Sequence, residues 1–155
     1  MTSQNPDITL ATYGDDAAIR ELLTQSRLPT SDLDAAQPVI FVARSDGGLA
    51  GIGAIELFGT AGLLRSVAVV PSHRKTGLGR AIVQRLEEQA RESGLFELVL
   101  LTETARPFFE KLGYGVIERS AAPMAVKGSA EFTSLCPQSA VCMRKQLGPH
   151  VKYGP

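Results

Sequence analysis

The chain has 155 residues, 44% apolar and 21% charged, which suits one domain with an ordinary core and excludes a two-domain enzyme. Sixteen Lys and Arg balance sixteen Asp and Glu, so no global field gathers nucleic acid or an anionic membrane, and any anion site has to be local. Two cysteines, Cys136 and Cys142, are too few for a disulfide framework. Residues 1–10 lack the basic start and apolar stretch of a signal peptide, and together with the cysteine count they point to a reducing cytoplasm. No apolar run nears the roughly 20 residues of a membrane span, since Arg65 interrupts the best one, residues 62–70.

In chain order, Asp15 and Asp16 can cap a helix over residues 16–26, where Ala18, Ile19, Leu22 and Leu23 recur at helical spacing. Residues 29–38 form a polar connection. Apolar segments 39–44 and 49–58 flank Ser45-Asp46-Gly47-Gly48, a hairpin signal, and a third strand follows the turn at Thr60-Ala61-Gly62, running over 63–70 to Pro71. Behind the basic segment 74–79, Ala81, Ile82, Val83, Leu86 and Ala90 share one helical face. Arg80, Gln84, Arg85, Glu87, Glu88 and Arg91 form the polar one, and the helix ends near Ser93 and Gly94. A buried strand is predicted over 96–102, a short helix over 105–112 stopped by Gly113, and a strand over 114–119. A helical stretch over 121–135 broken at Gly128, a last strand over 139–147 and a loose tail over 148–155 complete the chain. The domain is therefore placed at 1–147, and the order describes an α/β domain on a mixed sheet.

Chemistry concentrates where the third strand turns into the long helix, Leu64-Arg65-Ser66-Val67-Ala68-Val69-Val70-Pro71-Ser72-His73-Arg74-Lys75-Thr76-Gly77-Leu78-Gly79-Arg80. Glycines at 77 and 79 let peptide N–H groups approach an anion, and Arg74, Lys75 and Arg80 add to the positive end of the helix. The segment therefore predicts a phosphate or pyrophosphate site. A Walker loop is absent, because no Gly-Lys-Ser/Thr follows an earlier glycine, and a dinucleotide fingerprint fails because position 82 is Ile.

What remains, Arg74-x-x-Gly77-x-Gly79 after Val67-Ala68-Val69-Val70-Pro71, resembles the acetyl-CoA pyrophosphate loop and central strand of the GCN5-related N-acetyltransferases (GNAT). Phe109-Glu110-Lys111-Leu112-Gly113-Tyr114 is similar to the helix that follows the fifth strand of that family. Spacing and strand order agree over residues 8–147. The resemblance implies a single α/β (α+β) domain, with a central mixed, mostly antiparallel sheet of about six to seven strands flanked by helices. Leu64-Arg65-Ser66-Val67-Ala68-Val69, Leu100-Leu101-Thr102, Phe108-Phe109 and residues 131–143, Glu-Phe-Thr-Ser-Leu-Cys-Pro-Gln-Ser-Ala-Val-Cys-Met, also resemble acetyltransferases associated with bacterial arsenic resistance.

By that resemblance, the N–H and C=O groups of Val67 and Val69 pair with the pantetheine arm and a backbone N–H near Ala68 polarises the thioester carbonyl. The loop of Arg74, Lys75, Gly77, Leu78, Gly79 and Arg80 holds the pyrophosphate, with the Arg74 and Lys75 side chains either engaged or solvated. The family's usual Tyr is replaced by Phe109, so no hydroxyl stands there to protonate the departing thiolate; since a thiol has a pKa near 8.5, it can leave without one. Thr102 falls in an Asn slot and can bind cofactor or water. Glu56 and Glu103 are candidate bases, each also readable as a solvated strand-end carboxylate. Tyr114 is read as a core aromatic. Arg65, in an otherwise apolar strand, needs a partner or a cleft: it either clamps the acid group of an amino-acid-like substrate or pairs with Glu56 across the sheet.

Cys136 and Cys142 lie six apart, which invites two-coordinate arsenite capture, but small buried thiols usually pack as hydrophobes. His73 and His150 have no ligand-spaced partners, so no metal is assigned. The expected activity is acetyl transfer from acetyl-CoA to a small amino-acid-like amine, with an arsenical amino acid the sharpest form. A glutamate-type acetyltransferase and a non-catalytic acyl-CoA-binding module are the alternatives. Neither nucleic acid nor membrane is an expected partner, and a homodimer is compatible with the sequence.

Overall fold

The computed structural model describes residues 7–148, so the tail beyond Gly148 lies outside the described residues. Seven strands form one sheet in the order β1-β2-β3-β4-β5-β7-β6: β1 (Asp7–Leu10), β2 (Val39–Ser45), β3 (Gly48–Phe58), β4 (Ala61–Val69), β5 (Glu97–Thr102), β6 (Gly115–Ile117) and β7 (Val141–Gln146). The helices are α1 (Asp16–Gln25), α2 (Leu33–Ala36), α3 (Leu78–Glu92), α4 (Arg106–Lys111) and α5 (Met124–Lys127). β4 and β5 run parallel, while β1–β2, β2–β3, β5–β7 and β6–β7 are antiparallel. The sheet is thus mixed and mostly antiparallel, as expected. Among the described residues no helix is long and apolar enough to cross a membrane.

The chain divides into two compact units, residues 1–55 with 66–86 and residues 56–65 with 87–155. In the first, Ile19, Leu22 and Leu23 of α1 pack with Leu33, Val42, Ile52 and Ala68. Glycines 51 and 53 in β3 admit α3 closely: a Cβ on Gly51 would stand 2.8 Å from Ile82 Cδ1, and one on Gly53 2.6 Å from both Ile82 and Leu86. In the second, Ala61, Leu63, Val99, Ala122, Val126, Phe132 and Cys142 form the core. Cys142 therefore packs as a small hydrophobe, and burial raises its thiol pKa.

Some sequence expectations need correction. β1 lies within residues 1–10, where the sequence announces no element. It is an outer strand with largely exposed side chains, and its pairing with β2, Asp7 to Arg44 through Leu10 to Phe41, makes it a strand. The polar connection 29–38 contains α2, around buried Leu33. The helical stretch 121–135 breaks at Gly128 as expected, but its second half is a π-helical turn, Glu131–Leu135. Glu87, assigned to the polar face of α3, is buried.

α1 is anchored at its start. Asp15 accepts from the Thr12 backbone N–H at 2.8 Å and from both terminal nitrogens of Arg44 at 2.8 and 2.7 Å. The Arg44 bonds, then the Thr12 backbone bond, hold the Asp15 carboxyl well below the usual carboxylate range. A carboxylate with a depressed folded-state pKa contributes stability above its unfolded value, near 3.9, and loses it as pH falls below that. Asp15→Asn should therefore cost about 1–2 kcal/mol at neutral pH, because Arg44 keeps weaker acceptors, and the gap to wild type should close between roughly pH 4 and 2. Urea denaturation across that range measures it; a gap independent of pH would refute the assignment.

Candidate active site

The basic loop lies in the first unit. After Pro71–His73, a single 3₁₀ turn, Arg74, Lys75, Thr76 and Gly77 are all exposed and lead directly into α3. Lys75 at φ 63° and Gly77 at φ 88° both take the left-handed backbone from which anion-binding N–H nests are built. No atom lies within 4 Å of where a Cβ on Gly77 would stand. The loop is braced from within: the Thr76 hydroxyl donates to the His73 carbonyl, and Arg74 Nε donates to the Val69 carbonyl at 3.1 Å. Arg74 thus secures the end of β4, and the Val69 carbonyl, expected to face the pantetheine arm, already accepts this bond. Leu78 is buried as the first anchor of α3, while Arg80 is exposed. The left-handed turns and the open side at Gly77 suit close approach by a diphosphate.

β4 carries the next features. Its parallel ladder with β5 covers Ala61, Gly62 and Leu63 against Glu97, Leu98 and Val99, while β4 itself continues to Val69. Ser66 sits mid-strand at φ 60°, a left-handed conformation costly for a non-glycine residue and typical of functional positions. Val67 and Val69 are half-buried and Ala68 is buried.

In the second unit the structure gathers three charges. Arg65 has no exposed side-chain surface; its Nη1 lies 2.7 Å from Glu56 Oε1 and its Nε 3.2 Å from Glu131 Oε2. The Arg65–Glu56 pair across the sheet, one of the two sequence readings, is formed. Glu56 is accordingly a buried ion-pair partner in this structure rather than a solvated strand-end group. Glu131 was not read as a site residue, although it opens the stretch 131–143 that the sequence singled out. Cys136, half-buried near it, has its thiol pushed up to about 12, first by burial and then by the Glu131 carboxylate, so it stays protonated at neutral pH.

Glu103 is exposed, directly after β5. Thr102 is half-buried, and its hydroxyl accepts the Ala105 backbone N–H at 3.0 Å, bracing the turn into α4. Phe109 is buried, edge-on to Phe108 at 4.9 Å and to Tyr114 at 5.6 Å between ring centroids. Tyr114 is a core aromatic as expected. Its hydroxyl donates to Glu87 at 2.9 Å, and burial, followed by the Glu87 charge, pushes its pKa up. Lys145 also bonds Glu87, at 3.0 and 3.1 Å, and the Leu112 carbonyl at 2.8 Å. This buried network joins α3, the end of α4 and β7, and leaves the Tyr114 proton committed. Sequence reasoning missed it because its members lie far apart along the chain. Among the described residues no group of three or more His, Cys, Asp or Glu could hold a metal ion.

Comparison with known proteins identifies the frame that carries these features. Over 59 residues the chain is 41% identical to glucosamine 6-phosphate N-acetyltransferase of Trypanosoma brucei brucei; the match takes in 37% of this chain and 40% of the relative, so it spans less than half of that protein. Over 63 residues it is 35% identical to the amino-acid acetyltransferase of Serratia proteamaculans, covering 41% of this chain and 14% of the relative. A Mycobacterium tuberculosis protein solved in complex with CoA superposes with a TM-score of 0.77 at 27% identity, over 91% of this chain and 99% of the other. The family model for the acetyltransferase (GNAT) domain matches residues 36–116, from α2 through the loop at Gly77 to β6. That match takes in more than half of the chain and contains β4, the loop and α3, and the chain belongs to the GNAT acetyltransferase family.

Proposed function

We propose that this protein is a cytoplasmic N-acetyltransferase that moves the acetyl group of acetyl-CoA to the amine of a small amino-acid-like molecule. The observation that carries the reading is the exposed loop 74–77, with its left-handed Lys75 and Gly77 opening α3. Family membership and the CoA-bound neighbour at 27% identity support it.

Acetyl-CoA, when bound, supplies a thioester whose carbonyl carbon accepts the amine and whose thiol departs. The chain's part is to orient and to stabilise. Peptide N–H groups at Lys75 to Gly79 hold the diphosphate, helped by the positive end of the fifteen-residue α3. The β4 backbone at Val67 takes the pantetheine arm, and an N–H near Ala68 faces the negative charge that develops on the carbonyl oxygen, where preorganised donors act most strongly. The ammonium proton leaves to a carboxylate, directly or through water. Exposed Glu103 is open to that role, whereas Glu56 is engaged with Arg65. Phe109 offers no proton to the departing sulfur and Tyr114 is committed to Glu87, so the thiolate leaves unaided. Loss of such an acid costs about 10²- to 10⁴-fold in rate, and the expected turnover is slow.

For the substrate, the similarity to an amino-acid acetyltransferase and the buried Arg65 favour an amine that also carries an acid group. The likeness of residues 131–143 to arsenic-resistance acetyltransferases makes an arsenical amino acid the sharpest form of this reading, with glutamate the metabolic alternative. Acetylation removes the positive charge by which another enzyme would recognise such a mimic. Release of free thiol from acetyl-CoA, measured over an amine panel that includes glutamate and an arsenical amino acid, tests the proposal. Turnover on an acid-bearing amine is expected. Tight CoA binding with no turnover on any amine would replace it with a non-catalytic acyl-CoA-binding module.

A further inference from the structure

Arg65 presents two edges, and the two acids that take them are held differently. Glu56, on the Nη1 side at 2.7 Å, belongs to β3, a continuous strand of eleven residues. Glu131, on the Nε side at 3.2 Å, opens the π-helical turn Glu131–Leu135. Before that turn come only the 3₁₀ turn Arg119–Ala121 and the four-residue α5. π-helical turns are rare and are found frequently at functional sites. This one is tied down locally, by the Phe132 N–H to the Ser129 hydroxyl at 3.3 Å, the Thr133 N–H to the Ser129 carbonyl at 3.0 Å and the Cys136 N–H to the Glu131 carbonyl at 3.0 Å. Glu56 is thus the partner of Arg65 carried on a long strand of the sheet, and Glu131 the partner carried on a single short turn with only local ties.

A buried guanidinium cannot be left short of acceptors without a large penalty. A site that uses one to bind an acid must keep its donors filled between substrates. Exchanging one carboxylate for another conserves both the charge and the hydrogen bonds, whereas a carboxamide keeps an acceptor but loses the charge, and an ammonium conserves neither. Resting on the acetyltransferase reading, we propose that Glu131 is an internal stand-in for the acid group of the amine substrate: it holds the Nε edge of Arg65 when no substrate is bound and yields that edge to the substrate's carboxylate or oxyanion. Glu131 is then a specificity residue, because only an amine bearing such an anion can replace it.

The test uses the full chain with acetyl-CoA and amine pairs that differ only in acid against amide: L-glutamate with its diamide, and L-alanine with L-alaninamide. In Glu131→Gln the internal competitor is neutral and weaker. The Michaelis constant for the acid member should fall about 10-fold, as expected when the ion pair that competes with it becomes a bond from the guanidinium to a neutral amide. That for the amide should move less than about twofold, with the change falling on KM rather than kcat. Glu131→Asp, which keeps the charge, should restore most of the wild-type acid-to-amide ratio. A second readout needs no catalysis and no Glu131 variant: the Arg65 Nε–H resonance of wild type, assigned with Arg65→Lys, should shift on adding L-glutamate and not its diamide. Transfer with the same acid-to-amide KM ratio in wild type and Glu131→Gln, or an Arg65 resonance indifferent to both ligands, would overturn the stand-in. Absence of transfer to any amine, with the resonance responding to the acid alone, would instead overturn the enzyme reading and leave the stand-in standing.

Discussion

Replacing Arg65 with alanine should destabilise the protein by about 3–5 kcal/mol, because it leaves the buried carboxylates of Glu56 and Glu131 facing each other without their shared cation. For a domain of this size that corresponds to a fall in Tm of roughly 6–20 °C. Arg65→Lys should cost less, since an ammonium restores charge without the two-edged fork that reaches both acids. Removing all three charges together, as Arg65→Met with Glu56→Leu and Glu131→Leu, should recover much of the loss, because replacement of a complete buried ion cluster by apolar residues of similar volume is often close to neutral. Thermal or urea denaturation decides this, and a loss under about 1 kcal/mol for Arg65→Ala would mean that the cluster is solvated in solution. The same variant, assayed below its Tm, bears on substrate recognition. If Arg65→Ala leaves Michaelis constants for acid-bearing amines untouched, the guanidinium does not bind substrate.

Gly77→Val is expected to separate binding from stability. A β-branched residue at φ 88° is strained by about 1–3 kcal/mol, yet its Cβ meets no atom within 4 Å. The folded protein should survive with a Tm only some 2–12 °C lower. Relief of that strain means moving the peptide groups of the loop, and the new side chain stands beside the surface offered to the diphosphate. CoA affinity should therefore fall at least about 30-fold, in line with losing one or two charge-assisted hydrogen bonds. Isothermal calorimetry measures it, and an unchanged dissociation constant would remove the diphosphate from this loop. Lys75→Gly is the control. It relaxes the left-handed Lys75 at φ 63°, and if backbone N–H groups carry the anion, CoA affinity should change less than about threefold.

Much of the fold is legible locally. The hairpin β2–β3 is announced by Ser45-Asp46-Gly47-Gly48, and α3 by an apolar face whose members Ile82, Val83, Leu86 and Ala90 are all fully buried. β1 is not legible, because an outer strand with exposed side chains has no periodic burial to display; only pairing with β2 distinguishes it from a loop. α2 is hidden for a related reason, being a single turn around Leu33. The loop 74–80 stands out in sequence because glycine spacing and positive charge are local properties.

Residues 56, 65 and 131 meet around one guanidinium, and residues 87, 114 and 145 around one carboxylate. Each group reads along the chain as an unrelated polar residue. The sequence by itself determined the order of the elements other than β1 and α2, the glycine spacing and positive charge of loop 74–80, and the absence of a phenol at position 109, since each depends on neighbours within a few positions. Tertiary structure alone decided which charges are buried and with whom, because the cost of taking a charge out of water is met only by partners that folding brings from distant parts of the chain.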